Sequence, residues 1–385
     1  MPDNFVQNRI DDIQVLRGIA ILWVLIWHLH SMPWVGPIIP QSVVHWVRPG
    51  VGVDLFFVIS GYVIGRSLLP TLYFASGGRE KIRTVLLFWL RRAFRLFPSA
   101  WFWMAVIVCA SAIFQNLPLW RSVEANLWSA LSVVLHFANY RLATNWGEMG
   151  AGAIYWSLSL EEQFYFVLPI AVLFFRKKIP LAAALSAIIA LQFLVERNFL
   201  QILFRSEGLA FGVLLAIAQT SAFYQFLEPR IMRFRSVRWF ALSLLMALML
   251  GASSPAFMEL FGTSASRGSN LVACFGMAIV FLASFDRSYV MAEGRLQRVF
   301  KWIGARSYAL YLCHFPSIYL TIEIVTRLGI YDASLGVGRL TTLIISIALM
   351  TVFAHLNYRY LETPLNAYGK VLASRWSSSK ATPSS

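Results

Sequence analysis

Apolar residues fill long windows along this chain, and short polar stretches separate them. Ten windows stand out, at about 13–31, 50–74, 97–115, 155–175, 179–195, 207–224, 239–256, 269–285, 304–326 and 339–358. A helix rises 1.5 Å per residue, so crossing the hydrocarbon core takes about 20 such residues. Only a structure that satisfies its own backbone N–H and C=O groups is stable there. The pattern therefore predicts an all-α fold, a polytopic transmembrane bundle of about 10 spans. Asn126 to Tyr140 is apolar but too short to cross, and it predicts an interfacial or re-entrant helix.

Charge orients this plan. Lys and Arg collect at Arg79–Arg95, Arg176–Lys178, Arg230–Arg238, Arg287–Lys301 and Arg359–Lys380. With ten crossings and a cytoplasmic N-terminus, every cluster falls on the cytoplasmic side, as does the C-terminus. Counting 126–140 as a crossing would move Arg176–Lys178 outside. Trp34, Trp46, Trp120, Trp128, Trp146 and Trp156 then fall at or near the outer interface.

Composition agrees. The chain is 58% hydrophobic and 13% charged, about half the charge of a soluble domain. Its net charge of +15 follows from topology, so membrane lipids and not nucleic acid are the expected contacts. Cys109, Cys274 and Cys313 show no paired spacing, so neither a disulfide nor a metal site is expected. Met1 to Asp12 is polar, with no small-residue cleavage site after the first apolar run, so that run is expected to stay as a helix. Residues 1–368 read as one integral-membrane domain, and the Ser- and Lys-rich 369–385 as a disordered cytoplasmic tail. No internal repeat and no further soluble domain are evident.

Ionisable residues inside spans are costly and usually mark a pathway or a site. Arg17 and His28 stand eleven residues apart, which in a helix is about 16 Å along one face. Each has a plainer reading, Arg17 as a snorkelling arginine and His28 as a satisfied interface residue. His30 lies around the helix from His28. Asp54, near the outer end of the second span, needs a partner, and a nearby histidine or Arg48 are the candidates; headgroup water is the alternative. Ser60-Gly61 reads as a close helix contact. Arg91, Arg92 and Arg95 share a helical arc of about 100°, either a phosphate-binding face or ordinary cytoplasmic charge.

Within "SLSLEEQFY", Ser159 and Glu162 have capping-box spacing. A helix from Ser159 to Phe175 would be about 24 Å long and would leave a recessed outer end. Arg205 and Glu207 are expected to pair with each other, with glycan contact as the alternative. Tyr308, Tyr311 and His314 share one helical face, His314 in a hydrogen-bonded core role, and Pro316 is expected to kink the helix beyond them. Glu362 is expected to pair with an arginine.

"RGIAILWVLIWH" has an Arg-x10-His form, followed in order by "GVGVDLFFVISGYVI", "RRAFRLFPSAW", "YWSLSLEEQFYFVLP", "RSEGLAFGVLLA", "IGARSYALYLCHFP" and "LETP". The series resembles the membrane acyltransferase-3 family, bacterial inner-membrane O-acyltransferases of surface glycans. The resemblance implies transfer of an acyl group, most simply acetyl, from cytoplasmic acyl-CoA to a hydroxyl of an extracytoplasmic or lipid-linked glycan such as O-antigen or exopolysaccharide. Acetyl-CoA is then a co-substrate, with no resident cofactor. His28 is the implied base or transient acyl carrier, and Asp54 or Glu161 its orienting group. The implied acyl-CoA contacts are Arg17, Arg91, Arg92 and Arg95. Arg205, Glu207, Tyr308, Tyr311 and His314 are supporting or acceptor residues. No esterase-like domain of the kind appended in some family members is expected. A transporter or flippase of a glycan, or a non-catalytic membrane subunit, are the rival classes; inverted repeats, which favour a transporter, are not evident.

Overall fold

The computed structural model describes residues 9–115, 117–329 and 336–378. Among these, all regular structure is helical. Eight helical stretches are long and apolar enough to cross a membrane: Asp11–His30, Pro49–Phe74, Gly78–Ile113, Gly150–Phe175, Phe199–Ala218, Ala265–Ala283, Ser307–Arg327 and Gly338–Trp376. A ninth is a pair bent by 84°, Arg235–Gly251 with Pro255–Phe261. All ten windows therefore fall on helices. The window at 179–195 is the exception in length: its helix, Lys178–Leu194, has 17 residues and extends about 26 Å.

The chain divides into two compact units. The first is built from the chain up to Tyr73 and from Phe174 to Ser307, the second from Phe74 to Leu173 and from Tyr308 onward.

The first unit holds α1 (Asp11–His30) and α2 (Gly52–Phe74), then α7 (Lys178–Leu194), α8 (Phe199–Leu203), α9 (Glu207–Ala218), α10 (Arg235–Gly251), α11 (Pro255–Phe261), α12 (Ala265–Ala283) and α13 (Arg295–Ala305). In lipid, apolar surface gives helices no reason to associate, so contact depends on close backbone approach at small residues. Gly61 of α2 faces the Leu209 carbonyl and Gly212 of α9 faces the Val58 carbonyl, so a Cβ at either position would collide with backbone. The Ser60-Gly61 reading was correct in this respect. Gly18 of α1 and Gly304 of α13 make a second crossing of the same kind, against the carbonyls of Phe300 and Gln14. At the start of α1, the buried Asp12 accepts the backbone N–H groups of Tyr289 and Val290 at 2.8 and 3.3 Å.

Helices α7 and α9 form a short hairpin. Lys178 Nζ donates to Thr220 Oγ1 (3.0 Å) at one end, and Gln192 Nε2 to Ser206 Oγ (2.9 Å) at the other. The fourteen-residue step from Lys178 to Gln192 measures about 21 Å along the axis. That is well short of a hydrocarbon core about 30 Å thick.

The second unit holds α3 (Gly78–Ile113), α4 (Val123–Val134), α5 (Ala138–Thr144), α6 (Tyr155–Phe175), α14 (Ser307–Arg327), α15 (Gly336–Asn357) and α16 (Thr363–Ser378). Helix α3 is continuous over 36 residues, so the arginine cluster and the third apolar window share one rod of about 54 Å. Between α15 and α16 the chain widens into a π-helical turn, Tyr358–Glu362. Helix α16 packs on the arginine-bearing half of α3. Gly369 sits where a Cβ would strike Phe94, the Phe94 and Tyr368 rings are 5.5 Å apart, and Arg83 Nη2 donates to the Trp376 carbonyl at 2.7 Å. These contacts hold residues 369–378 of the expected disordered tail in a helix; 379–385 lie outside the described residues.

Two more expectations change. Helix α6 begins at Tyr155 after a 3-10 turn, Gly150–Ile154, so Ser159 lies inside the helix and caps nothing. Its 21 residues extend about 31 Å, enough to cross, and no recessed end results. Trp120 is 2% exposed, with its ring against Phe114 and Tyr319. Helix α14 continues through Pro316. The 126–140 segment breaks into α4 and α5 at residues 135–137, neither of them long enough to cross.

Candidate active site

In the first unit, α1 carries Arg17 and His28 on one uninterrupted helix, both half-buried and about 16 Å apart along the axis. His30 faces elsewhere. Its Nδ1 accepts the Ile39 N–H at 3.3 Å, and its ring lies 6.0 Å from Trp27.

Asp54 stands in the first turn of α2, buried, and both its oxygens go to one guanidinium. Arg205 Nε donates to Oδ1 at 2.6 Å and Nη2 to Oδ2 at 3.3 Å. The candidate partners named from sequence, a histidine or Arg48, are displaced by Arg205; Arg48 instead lies over the Trp27 ring at 5.5 Å. Packing explains the choice. Gly208 brings the start of α9 against Phe57 and the Asp54 carbonyl, which sets Arg205 beside the carboxylate and over the Phe57 ring.

The expected Arg205–Glu207 pair does not form. Glu207 is 1% exposed at the start of α9, and Arg197 holds it with Nη1 3.1 Å from both oxygens. Arg197 also donates to Ser266 Oγ at 3.1 Å, the Ser266 carbonyl at 3.0 Å and Asn270 Oδ1 at 2.7 Å. Arg205 and Glu207 are two residues apart and so leave α9 in different directions, each toward its own partner. Sequence reasoning missed Arg197, which reads as one loop cation beside Glu196. The signal available was the polar run of Ser266, Ser269 and Asn270 opening an otherwise apolar helix.

In the second unit, α3 presents Arg91, Arg92 and Arg95 in succession, Arg91 exposed and the other two half-buried. Arg92 lies 5.6 Å from both the Phe88 and the Tyr165 rings. Arg91 and Arg95 make no hydrogen bond or ion pair among the described residues, which leaves their donors free for anionic oxygen.

The "SLSLEEQFY" stretch grips the break between α4 and α5. Glu162 Oε2 stands 2.6 Å from His136 Nδ1. Gln163 Nε2 donates to the His136 carbonyl at 2.7 Å and to Asn139 Oδ1 at 3.0 Å. Ser159 Oγ accepts the Ala138 N–H at 3.2 Å. Glu162 is thus held by the His136 ring and is not a helix cap, while Glu161 is half-buried at the neighbouring position. His136 was also missed from sequence, as a lone histidine in an apolar run. No signal pointed to it, because the capping-box spacing already accounted for Glu162.

Further along this unit, Tyr308 Oη donates to the Leu96 carbonyl at 2.7 Å. Tyr311 Oη meets Ser157 Oγ at 2.7 Å and the Ile154 carbonyl at 2.9 Å. His314 is fully buried, with Nδ1 2.6 Å from the Tyr311 carbonyl, as its core reading required. Glu362 is buried in the π-helical turn.

Polytopic helices with buried, partnered carboxylates, a span-borne histidine and a run of arginines on one helix define a membrane protein built around polar chemistry. Residues 10–357 match the family described as "Acyltransferase domain", and the chain belongs to that acyltransferase-3 family of membrane O-acyltransferases. It is similar to the peptidoglycan O-acetyltransferase OatA of Listeria monocytogenes, 26% identical over 393 residues, which cover 95% of this chain and 57% of that protein. It is 26% identical to the Staphylococcus aureus O-acetyltransferase OatA over 92% of this chain and 57% of the relative. With the putative peptidoglycan O-acetyltransferase YrhL of Bacillus subtilis it shares 24% identity, over 92% of this chain and 54% of the relative. The chain thus spans little more than half the length of these relatives. No solved structure matches it significantly.

Proposed function

We propose that this chain transfers an acyl group, most simply acetyl, from cytoplasmic acyl-CoA to a hydroxyl of an extracytoplasmic or lipid-linked glycan in the bacterial plasma membrane. The family match over 10–357 carries the reading, because it takes in all of the polar groups described above except Glu362. The relatives named for O-acetylation of peptidoglycan support a cell-surface glycan as acceptor.

In this reading His28 acts as base toward the acceptor hydroxyl or briefly carries the acyl group as acyl-imidazole, chemistry that neutral imidazole supplies near pH 7. Arg91, Arg92 and Arg95 hold the CoA phosphates, since guanidinium forks match phosphate oxygens. Arg17 serves the pantetheine arm or the thioester. Asp54 acts through Arg205, not by gripping His28. Glu161, Glu207, Tyr308, Tyr311 and His314 shape and support the polar interior.

The test is turnover of acetyl-CoA by the protein in liposomes, with free thiol followed in the presence and absence of a host glycan extract. Acceptor-dependent thiol release that falls by at least about 100-fold in His28→Ala is expected. Absence of release with any short acyl-CoA would favour transport of a glycan instead.

A further inference from the structure

We propose that His136, oriented by Glu162, is a second imidazole base of this protein and takes the proton of the acceptor hydroxyl. The inference rests on the acyl-transfer reading above.

The pair has the parts that a general base needs. Glu162 Oε2 lies 2.6 Å from Nδ1, which places the ring proton on Nδ1 and leaves Nε2 with its lone pair. Nε2 makes no hydrogen bond among the described residues, while the side chain keeps 16% of its surface exposed. A purely structural histidine spends both nitrogens; this one spends one.

The ring is also fixed in place. Phe97 and Phe166 flank it at 4.9 and 5.7 Å, and Gln163 anchors its backbone carbonyl. His136 has φ 59°, the left-handed region that residues with a Cβ seldom occupy, so the surroundings impose its position. The charged and titratable groups near the pair are few. Tyr155 on α6 and Tyr308 on α14 both sense the Glu162 charge, Glu161 and Glu362 lie near Tyr308, and Arg92 on α3 lies over Tyr165.

The step balances without another reactant. The acceptor O–H proton moves to Nε2 as the oxygen bonds to the acyl carbon. The bond from that carbon to the thioester sulfur of the donor then breaks. The imidazolium, stabilised by Glu162, returns the proton to the departing sulfur. Glu162 is a positioning residue and His136 the catalytic one.

The experiment measures acetyl transfer to glycan by the full chain in liposomes from pH 5 to 9, for wild type, His136→Asn and Glu162→Gln, with melting temperatures alongside. His136→Asn is expected to lower turnover by about 100- to 10,000-fold, far more than any accompanying loss of folded protein accounts for. Glu162→Gln is expected to move the acid limb of the profile to lower pH by about one unit, because the imidazolium loses its counter-charge. His136→Asn within a few-fold of wild type, or an acid limb unmoved by Glu162→Gln, would overturn the proposal.

Should His136→Asn fail to fold, wild-type protein is treated with diethylpyrocarbonate and the modified peptides are quantified. Inactivation that tracks His136 modification and is slowed by acceptor supports the base. Activity retained with His136 fully modified overturns it. A wild type that transfers nothing removes the acyl-transfer reading and this proposal together, whereas an active wild type with an active His136→Asn removes this proposal alone.

Discussion

Arg205 gives Asp54 two charge-assisted hydrogen bonds in a place where neither charge is well solvated. Removing one partner leaves the other buried and uncompensated, which costs about 3–5 kcal/mol. Arg205→Ala is therefore expected to lower unfolding stability in detergent by that amount. The double variant Asp54→Leu with Arg205→Met should recover most of it, because the pair's attraction mainly offsets its own desolvation. Equal stability of Arg205→Ala and wild type would mean that water reaches Asp54. At this scale the need for a partner was legible in the sequence, since an aspartate in a span must be paired. The identity of the partner was not. It comes from 151 residues away, and only the crossing of α2 with α9 selects Arg205 over Arg48. The same holds for Glu162, whose spacing from Ser159 suited a cap until the helix proved to start four residues earlier.

Glycine decides the contacts between elements. Gly61 and Gly212 face each other's helix backbones, so Gly61→Val forces α2 and α9 apart and breaks the frame that seats Arg205. A marked fall in melting temperature is expected for Gly61→Val, and almost none for Gly77→Ala, which has open space around it. A similar fall in both would show that the crossing is not limiting. This contact was readable from a small-residue pair inside an apolar window. The length of α3 was not. Hydropathy drops across Arg79–Arg95 and hides a helix that continues unbroken, because helical hydrogen bonding is indifferent to whether side chains are apolar or charged. On the proposed reading, a phosphate-binding face would keep its geometry because Arg91, Arg92 and Arg95 share one helix.

For the whole chain, the ten apolar windows predicted where helices lie, because the demand for internal hydrogen bonding leaves a membrane segment little choice. Division into two units was invisible, since each unit joins stretches far apart in sequence. Topology remains governed by parity. If α9 crosses, α7 must cross as well, or Arg176–Lys178 and Arg230–Arg238 would face opposite sides. Reporter fusions check this. Green fluorescent protein joined after Lys178 or after Arg238 is expected to fluoresce, and alkaline phosphatase joined after Thr144 to be active. A fusion after Lys178 that reports the opposite side from one after Arg238 would remove α7 from the set of crossings.

The brevity of the α7–α9 hairpin bears on the surrounding lipid. With about 21 Å between its polar ends, it either draws the leaflets together or leaves Arg197, Glu207 and Asp54 below the headgroups. Lipids with shorter or more disordered chains relieve that mismatch, and thick, ordered ones increase it. The chain length of its own bilayer thus sets how much water reaches the buried carboxylates, so membrane composition would act as a tuning input to this protein.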